Sequence, residues 1–368
     1  MKHLILLDTH AIIHRAYHAL PVLTNPAGEP VHAVYGFSTI LMRILRELKP
    51  DYIAAAFDLP GPTFRHVAYE RYKAQRPETP GDLASQFDKV REMVRAFGIP
   101  IFEKEGYEAD DVIGTIAKET ENNKQVEVMI VTGDMDSLQL VRPRLKVYAM
   151  RKGISDTVTY DGAAVKERYG FGPERLIDFK GLKGDPSDNI PGVKGIGEKT
   201  ATDLIREFGS IEALYRALKK GTKKISPAIA GRLLEGEKDA RFSRELATIR
   251  TDVPLGFQLE DLQWRGHIGN GAIRALFAKL GFASLLKRLD NLDNSEAAPP
   301  KAAQKTVSSA PLILPFSSSP TIGKITTASA LRVLVDREKK KGLGLVHDGS
   351  SLFIISHNRA VRECALPL

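Results

Sequence analysis

Short continuous apolar runs separated by stretches of helical period dominate the first 175 residues. His3–Leu7, Tyr52–Phe57 and Val126–Val131 are rich in β-branched and aliphatic residues and bounded by charged or turn residues. That pattern predicts parallel strands buried on both faces. Leu83, Phe87, Val90, Val94 and Phe97 recur at helical spacing and predict a core-facing helix over 83–98, ended by Gly98, with a strand Ile99–Phe102 next. Val112–Asn122 predicts another helix. Residues 1–175 therefore read as α/β, a central and mostly parallel sheet flanked by helices. From 176 to 289 the strand signals vanish. Lys199–Phe208, Ile211–Lys219, Ala228–Glu235, Asp239–Ile249 and Gly271–Leu280 predict short helices punctuated by Gly and Pro, a helical subdomain. Residues 290–328, rich in Ala, Ser, Pro and Lys, read as a linker. After it come a helix-like Ala328–Lys341 and the strand-like Leu343–Val346 and Ser351–Ser356, too few residues to bury a core alone.

Polar residues where the apolar runs give out change this from a fold prediction into a chemical one. Nine carboxylates stand there: Asp8, Asp58, Glu108, Asp110, Asp111, Asp134, Asp136, Asp185 and Asp188. In a doubly wound sheet the carboxyl ends of neighbouring strands open into one crevice, so acids distant in sequence can converge. Converged and unpaired they would repel one another strongly. Hard divalent cations are the natural compensation, and Mg²⁺ in particular takes a few carboxylates and serves phosphate chemistry. Each acid also has a plainer reading. Asp110 or Asp111 can cap the helix that follows, and Asp185 before Pro186 can initiate a turn.

The net charge of +8 in 368 residues, despite those acids, puts basic surface elsewhere and favours polyanionic partners. The single cysteine, Cys364, allows no intrachain disulfide and suits a reducing compartment. The apolar run before Asp8 is too short for a signal peptide, and no stretch approaches membrane-spanning length, so a cytoplasmic protein without a membrane partner is expected.

Two further segments carry chemistry. In Pro60–Pro77, residues Arg65, Tyr69, Tyr72, Lys73 and Arg76 fall on one face if the segment is helical. Cations there would bind phosphates and aromatic rings would stack on bases, which suits single-stranded nucleic acid; an ordinary solvated basic face is the alternative. Gly192–Ala201 is a Gly-rich turn feeding a helix, where backbone can approach a phosphate and unpaired N–H groups receive it, or else a tight helix–helix turn. The spacing of a nucleotide-binding P-loop is absent from it.

Tyr107–Asp111, Thr132–Asp136, Gly181–Pro191 and Gly195–Ala201, with His14–Ala19, Phe64–Arg65 and Tyr72–Lys73, make residues 1–289 resemble the flap endonuclease (5′-nuclease) family, of the kind found at the N-terminus of bacterial DNA polymerase I. The resemblance implies a PIN-like fold with a helix-hairpin-helix (H3TH-type) DNA-binding subdomain over 176–289 and a helical arch at about 60–80. It also implies that the nine acids hold two divalent ions, Mg²⁺ or Mn²⁺, with a potassium ion in the hairpin. Lys73 and Arg76 match the family's arch cations and would stabilise the transition state. Arg15 and Tyr72 would steer or stack displaced nucleotides, Arg65 would also bind DNA, and Gly192, Lys194, Gly195, Gly197, Lys199 and Thr200 would grip duplex DNA. The implied activity is two-metal phosphodiester hydrolysis by a monomer, a 5′-3′ exonuclease and flap endonuclease acting on DNA with 5′ flaps, nicks or RNA primers. Residues 329–368 resemble the start of a degenerate 3′-5′ exonuclease-like domain, with Val346–Gly349 where an active one carries Asp-x-Glu. Two departures stand out: Thr9–His10 follow Asp8 where a small residue is usual, and Met135 replaces a residue that is commonly basic. A PIN-type ribonuclease and a catalytically silent DNA-binding module are the alternatives.

Overall fold

The computed structural model describes residues 1–266 and 270–296, together with the strand segments 323–325, 343–347, 352–356 and 361–364. Contacts divide the chain into two compact units, Met1–Pro299 and Pro300–Leu368.

The first unit is built on a six-stranded sheet of β1 (Lys2–Asp8), β2 (Tyr52–Ala56), β3 (Ile101–Phe102), β4 (Val126–Thr132), β5 (Leu145–Lys152) and β6 (Asp156–Tyr160) in the order β3-β2-β1-β4-β5-β6. All neighbours are parallel except β5 and β6. β1 lies between β2 and β4, with Leu7 opposite both Ala55 and Val131. Side chains alternate across a strand. Leu4 and Leu6 accordingly enter one core, and Ile5 and Leu7 the other. That double burial is why these strands are unbroken apolar runs with no alternation to betray a wet face.

Helices cover both faces: α1 (Thr9–Ala19), α2 (His32–Leu48), α3 (Phe64–Ala68), α4 (Gly81–Ala96), α5 (Ala109–Glu119), α6 (Gly162–Tyr169), α7 (Leu176–Lys183), α8 (Glu198–Phe208), α9 (Ile211–Lys219), α10 (Pro227–Glu235), α11 (Glu237–Ala247), α12 (Gly271–Lys279) and α13 (Ala283–Glu296). Residues of α1, α2, α4 and α12 pack with Ile5 and Leu7, whereas α5 and the helices from α7 to α11 pack with Leu4 and Leu6. The helix expected over 83–98 is α4, which buries Leu83, Val90 and Val94 and leaves Phe87 half-buried. Gly98 follows at φ 68, the left-handed conformation that stops a helix.

Two expectations are corrected. The arch was read as a helical face running from Arg65 to Arg76, but α3 ends at Ala68 and turns carry residues 70–76. Tertiary bonds override helix propensity there: Lys73 N–H donates to the Asp188 carbonyl at 3.0 Å and Lys73 adopts φ 56. Second, α13 runs to Glu296, into residues read as linker. The remainder of 290–328 apart from Gly323–Ile325, and the helix expected at Ala328–Lys341, lie outside the described residues.

In the second unit, β7 (Gly323–Ile325), β8 (Leu343–His347), β9 (Leu352–Ser356) and β10 (Val361–Cys364) form a sheet in the order β7-β10-β9-β8, antiparallel except for β7 with β10.

Candidate active site and nucleic-acid interface

The strand ends deliver the acids to one place. β1 stops at Asp8, whose carboxylate caps α1 by accepting from Ala11 N–H at 3.1 Å and also accepts from the Thr132 hydroxyl at 2.5 Å. Thr132 Oγ1 in turn accepts from Asp134 N–H, so the ends of β1 and β4 are tied together. Asp58, two residues past β2, accepts from Ala109 N–H at 2.7 Å and so fixes the start of α5 beside Glu108 and Asp110. The acids Asp8, Asp58, Glu108, Asp110 and Asp134 line a cleft of about 710 Å³ whose other walls include His10, His14, Arg15, His18, Lys73, Arg76 and Met135.

Burial and crowding make charge costly in this cleft. Burial, with the charges of Asp58 and Asp134, pushes the Asp8 carboxyl up to about 7 against its two hydrogen bonds. Burial and the charges of Asp8, Asp134, Asp136 and Asp58 hold Asp110 well above the carboxylate range. Burial and Asp134 raise Asp136 to about 6 despite a neighbouring lysine. The folded chain thus keeps on Asp8 a proton that the unfolded chain, with its carboxyl near 3.8, gives up. That contribution to stability is full below about pH 4 and is lost as pH rises to about 7. In chelator, Asp8→Asn should therefore reduce the difference in Tm between pH 5 and pH 7.5, and an unchanged difference would contradict this assignment.

Among the described residues, no group of three or more His, Cys, Asp or Glu side chains is arranged to hold a metal ion as it stands. The chain's own cations hold several of the acids instead. Lys180 pairs with both Asp136 and Asp185. Lys73 donates to Glu108 at 2.7 Å, and Arg76 pairs with Asp188. Burial opposes the Lys180 ammonium, but its two carboxylates outweigh that and hold its pKa above the ordinary lysine range. An all-oxygen donor set in which burial and mutual repulsion raise Asp8, Asp110 and Asp136 fits a hard divalent cation, whose charge would offset that repulsion.

Three of the residues predicted for the site are buried in the fold instead of facing the cleft. Asp111 is fully buried, and its two oxygens accept from both terminal nitrogens of Arg65 at 2.7 and 2.8 Å and from the N–H groups of Glu108 and Arg250. With every lone pair so used it is a structural carboxylate, the capping alternative rather than a cation ligand. Arg65 is only 3 % exposed and also donates to the carbonyls of Leu246 and Thr248 at the end of α11, out of reach of any nucleotide. Tyr72 is 3 % exposed, packs with Ile190 and Leu246, and donates its hydroxyl to Glu108 and Asp188. Its ring has no free face for a base.

Asp136, Asp185 and Asp188 do not line the cleft with the other acids, but they are bound by Lys180, Arg76 and Tyr72. Arg15 lines the cleft and donates to the Arg151 carbonyl. Sequence reasoning missed Lys180, and also His14 and His18, whose i, i+4 spacing with His10 on α1 was the available signal. His10 packs at the cleft wall: its ring stacks on Phe87 at 4.7 Å, and its Nδ1 accepts from Asp58 N–H at 3.1 Å and lies 3.4 Å from the Asp58 carboxylate.

The Gly-rich turn lies between α7 and α8. Lys194, Gly195, Gly197 and Lys199 are exposed, Thr200 is half-buried, and α8 begins at Glu198. Gly192 differs, being buried at φ 63 with its N–H donating to Ser243 Oγ; a Cβ there would lie 2.3 Å from the Gly184 nitrogen. Gly192→Ala should cost at least about 1–3 kcal/mol by overpacking. A melt within error of wild type would show that the turn relaxes freely.

Comparison with known proteins bears on both halves. The family description "5′-3′ exonuclease, N-terminal resolvase-like domain" matches residues 3–170, and "5′-3′ exonuclease, C-terminal SAM fold" matches residues 171–268. DNA polymerase I of Bacillus caldotenax is 42 % identical over 300 residues, covering 81 % of this chain and 33 % of that protein. DNA polymerase I of Bacillus subtilis (strain 168) is 43 % identical over 296 residues, covering 80 % and 33 %. The chain thus spans about a third of the length of these curated relatives. Among solved structures, the T5 5′-exonuclease with divalent zinc ions bound has a TM-score of 0.56 at 20 % identity, over 79 % of this chain and 99 % of that one. A bacteriophage T5 flap endonuclease complexed with DNA and metal ions has a TM-score of 0.55 at 20 % identity, over 80 % of this chain and 100 % of that one. At such identity the likeness establishes the fold alone, an α/β sheet flanked by helices.

Proposed function

The chain belongs to the 5′-3′ exonuclease family, in the form that stands at the N-terminus of bacterial DNA polymerase I, and from that premise we propose that it hydrolyses DNA at 5′ flaps and nicks as a structure-specific 5′-3′ exonuclease and flap endonuclease, clearing displaced strands and RNA primers. One observation carries the reading. Asp8, Asp58, Glu108, Asp110 and Asp134 converge from separate strand ends on a single cleft walled by Arg15, Lys73 and Arg76.

Asp8, Asp58, Glu108, Asp110 and Asp134, with Asp136, Asp185 and Asp188 beside them, would hold two Mg²⁺ or Mn²⁺ ions. Such ions supply charge stabilisation at the scissile phosphate and a water acidified to nucleophilic strength near neutral pH. The protein's own part is to place and shield the substrate. Lys73 and Arg76, which now hold Glu108 and Asp188, would turn to the phosphate as its charge develops. Arg15, which also lines the cleft, would steer the displaced strand. The exposed turn from Lys194 to Thr200 would grip duplex phosphates as a helix-hairpin-helix, through the first N–H groups of α8 and the two lysines, with a potassium ion at the hairpin. Beyond Glu296, residues 329–368 would open a degenerate 3′-5′ exonuclease-like domain.

Branched and unbranched substrates separate this reading from its rivals. In Mg²⁺, 5′-flap and nicked duplex DNA should be cut well ahead of single-stranded RNA of the same sequence. Equal or faster cutting of the RNA would favour a PIN-type ribonuclease, and duplex binding without cutting of any substrate would leave only a DNA-binding module.

A further inference from the structure

Between the cleft acids and the hairpin lies a buried cation that the proposed mechanism does not use. Lys180, on the last turn of α7, has a side chain only 14 % exposed, and its ammonium donates to Asp136 Oδ1 and to Asp185 Oδ2, the latter at 2.6 Å. Asp185 is held from its other side, where Oδ1 accepts from the Ser187 N–H and hydroxyl at 2.9 and 2.6 Å. Asp136 is held through its N–H, which donates to Asp134 Oδ1. The backbone carrying Lys180 is itself locked, because the next residue, Gly181, sits so close to Ile211 and to Ala240 and Arg244 of α11 that a Cβ would lie 2.7–2.8 Å from them. Only the lysine stem, with four rotatable methylenes, is free to move.

We propose that Lys180 is a built-in counter-ion for the second cation position. Its ammonium holds Asp136 and Asp185 together in the metal-free chain and withdraws when a divalent ion enters, so that it positions those carboxylates and sets how tightly the ion binds. The inference rests on the two-metal reading above. A cation bridging the same two carboxylates would stand beside the ammonium, and like charges so placed in a poorly solvated pocket exclude one another. Binding at this position is therefore an exchange of one cation for another, and by linkage whatever removes the first strengthens the second.

Mn²⁺ titration of the full chain, followed by its paramagnetic resonance signal, counts the ions and gives their affinities without any turnover. Lys180→Met should bind the second Mn²⁺ about tenfold more tightly than wild type, a typical coupling between linked sites. Its metal-free Tm should fall while its Mn²⁺-induced rise in Tm grows, and Lys180→Arg, which keeps the charge, should stay near wild type. Two ions bound with equal affinity in wild type and Lys180→Met would overturn the inference and leave the two-metal reading standing. No ion bound by either would overturn both. Should Lys180→Met fail to fold, acylation of wild-type lysines read by mass spectrometry decides the matter: Lys180 should be protected in chelator and become reactive in Mn²⁺, and protection unchanged by Mn²⁺ would overturn the inference.

Discussion

Asp134→Ala should lower cleavage of a 5′-flap substrate by about 10³-fold or more while duplex binding stays near wild type. Asp134 stands two residues beyond β4 in the cleft, where its charge acts on Asp8, Asp110 and Asp136. Losing it would weaken the hold on a cation whose charge stabilisation is worth several kcal/mol, at about 1.4 kcal/mol per decade of rate. The Gly-rich turn at Lys194–Thr200 lies between α7 and α8, is anchored to Ser243 of α11 and uses no atom of Asp134, so the proposed duplex grip has no reason to weaken. The Asp134 side chain also caps the turn that follows by accepting from Asp136 N–H, which alanine cannot do. Asp134→Asn, which keeps an acceptor and drops the charge, separates the two effects and should be as inactive as alanine. Substantial turnover in the asparagine variant would remove Asp134 from the ligand set.

Arg65→Ala should lower Tm by roughly 10 °C, on the scale of breaking a buried ion pair at about 3–5 kcal/mol in a unit of this size. The guanidinium joins three pieces of the fold: Asp111 on α5, Glu108 at its cap, and the carbonyls of Leu246 and Thr248 at the end of α11. Removing it strands the Asp111 carboxylate, with no exposure to water, between two remaining N–H donors. The salt dependence of DNA binding should stay unchanged, because a buried side chain releases no phosphate counter-ion, whereas loss of a true phosphate contact reduces the slope by about one. Near-native melting with a reduced slope would return Arg65 to the DNA surface.

That reversal for Arg65 shows where the sequence was legible and where it was not. Parallel strands buried on both faces announce themselves as unbroken apolar runs, so His3–Leu7, Tyr52–Phe57 and Val126–Val131 could be placed, and strand-end geometry then predicted that Asp8, Asp58 and Asp134 would meet. Pairings between distant residues leave no such periodic trace. Arg65 and Asp111 stand 46 positions apart and Arg65 and Leu246 stand 181 apart, so an arginine on an apparent basic face and a carboxylate in an apparent ligand cluster gave no sign that they neutralise each other. The segment around Lys73 misled for a related reason: its residues favour helix locally, but bonds from Lys73, Gln75 and Arg76 to Pro186, Ser187 and Asp188 decide its path. Lys180, five residues before Asp185, carries no local signal that the last turn of α7 faces Asp136.

The most direct test of the central claim is cleavage of a duplex bearing a labelled single-stranded 5′ flap, in Mg²⁺ and in chelator, with products sized on a denaturing gel. Products ending near the flap junction in Mg²⁺ and an intact substrate in chelator are the predicted result. A flap that stays whole in both Mg²⁺ and Mn²⁺ while the duplex is bound would contradict it.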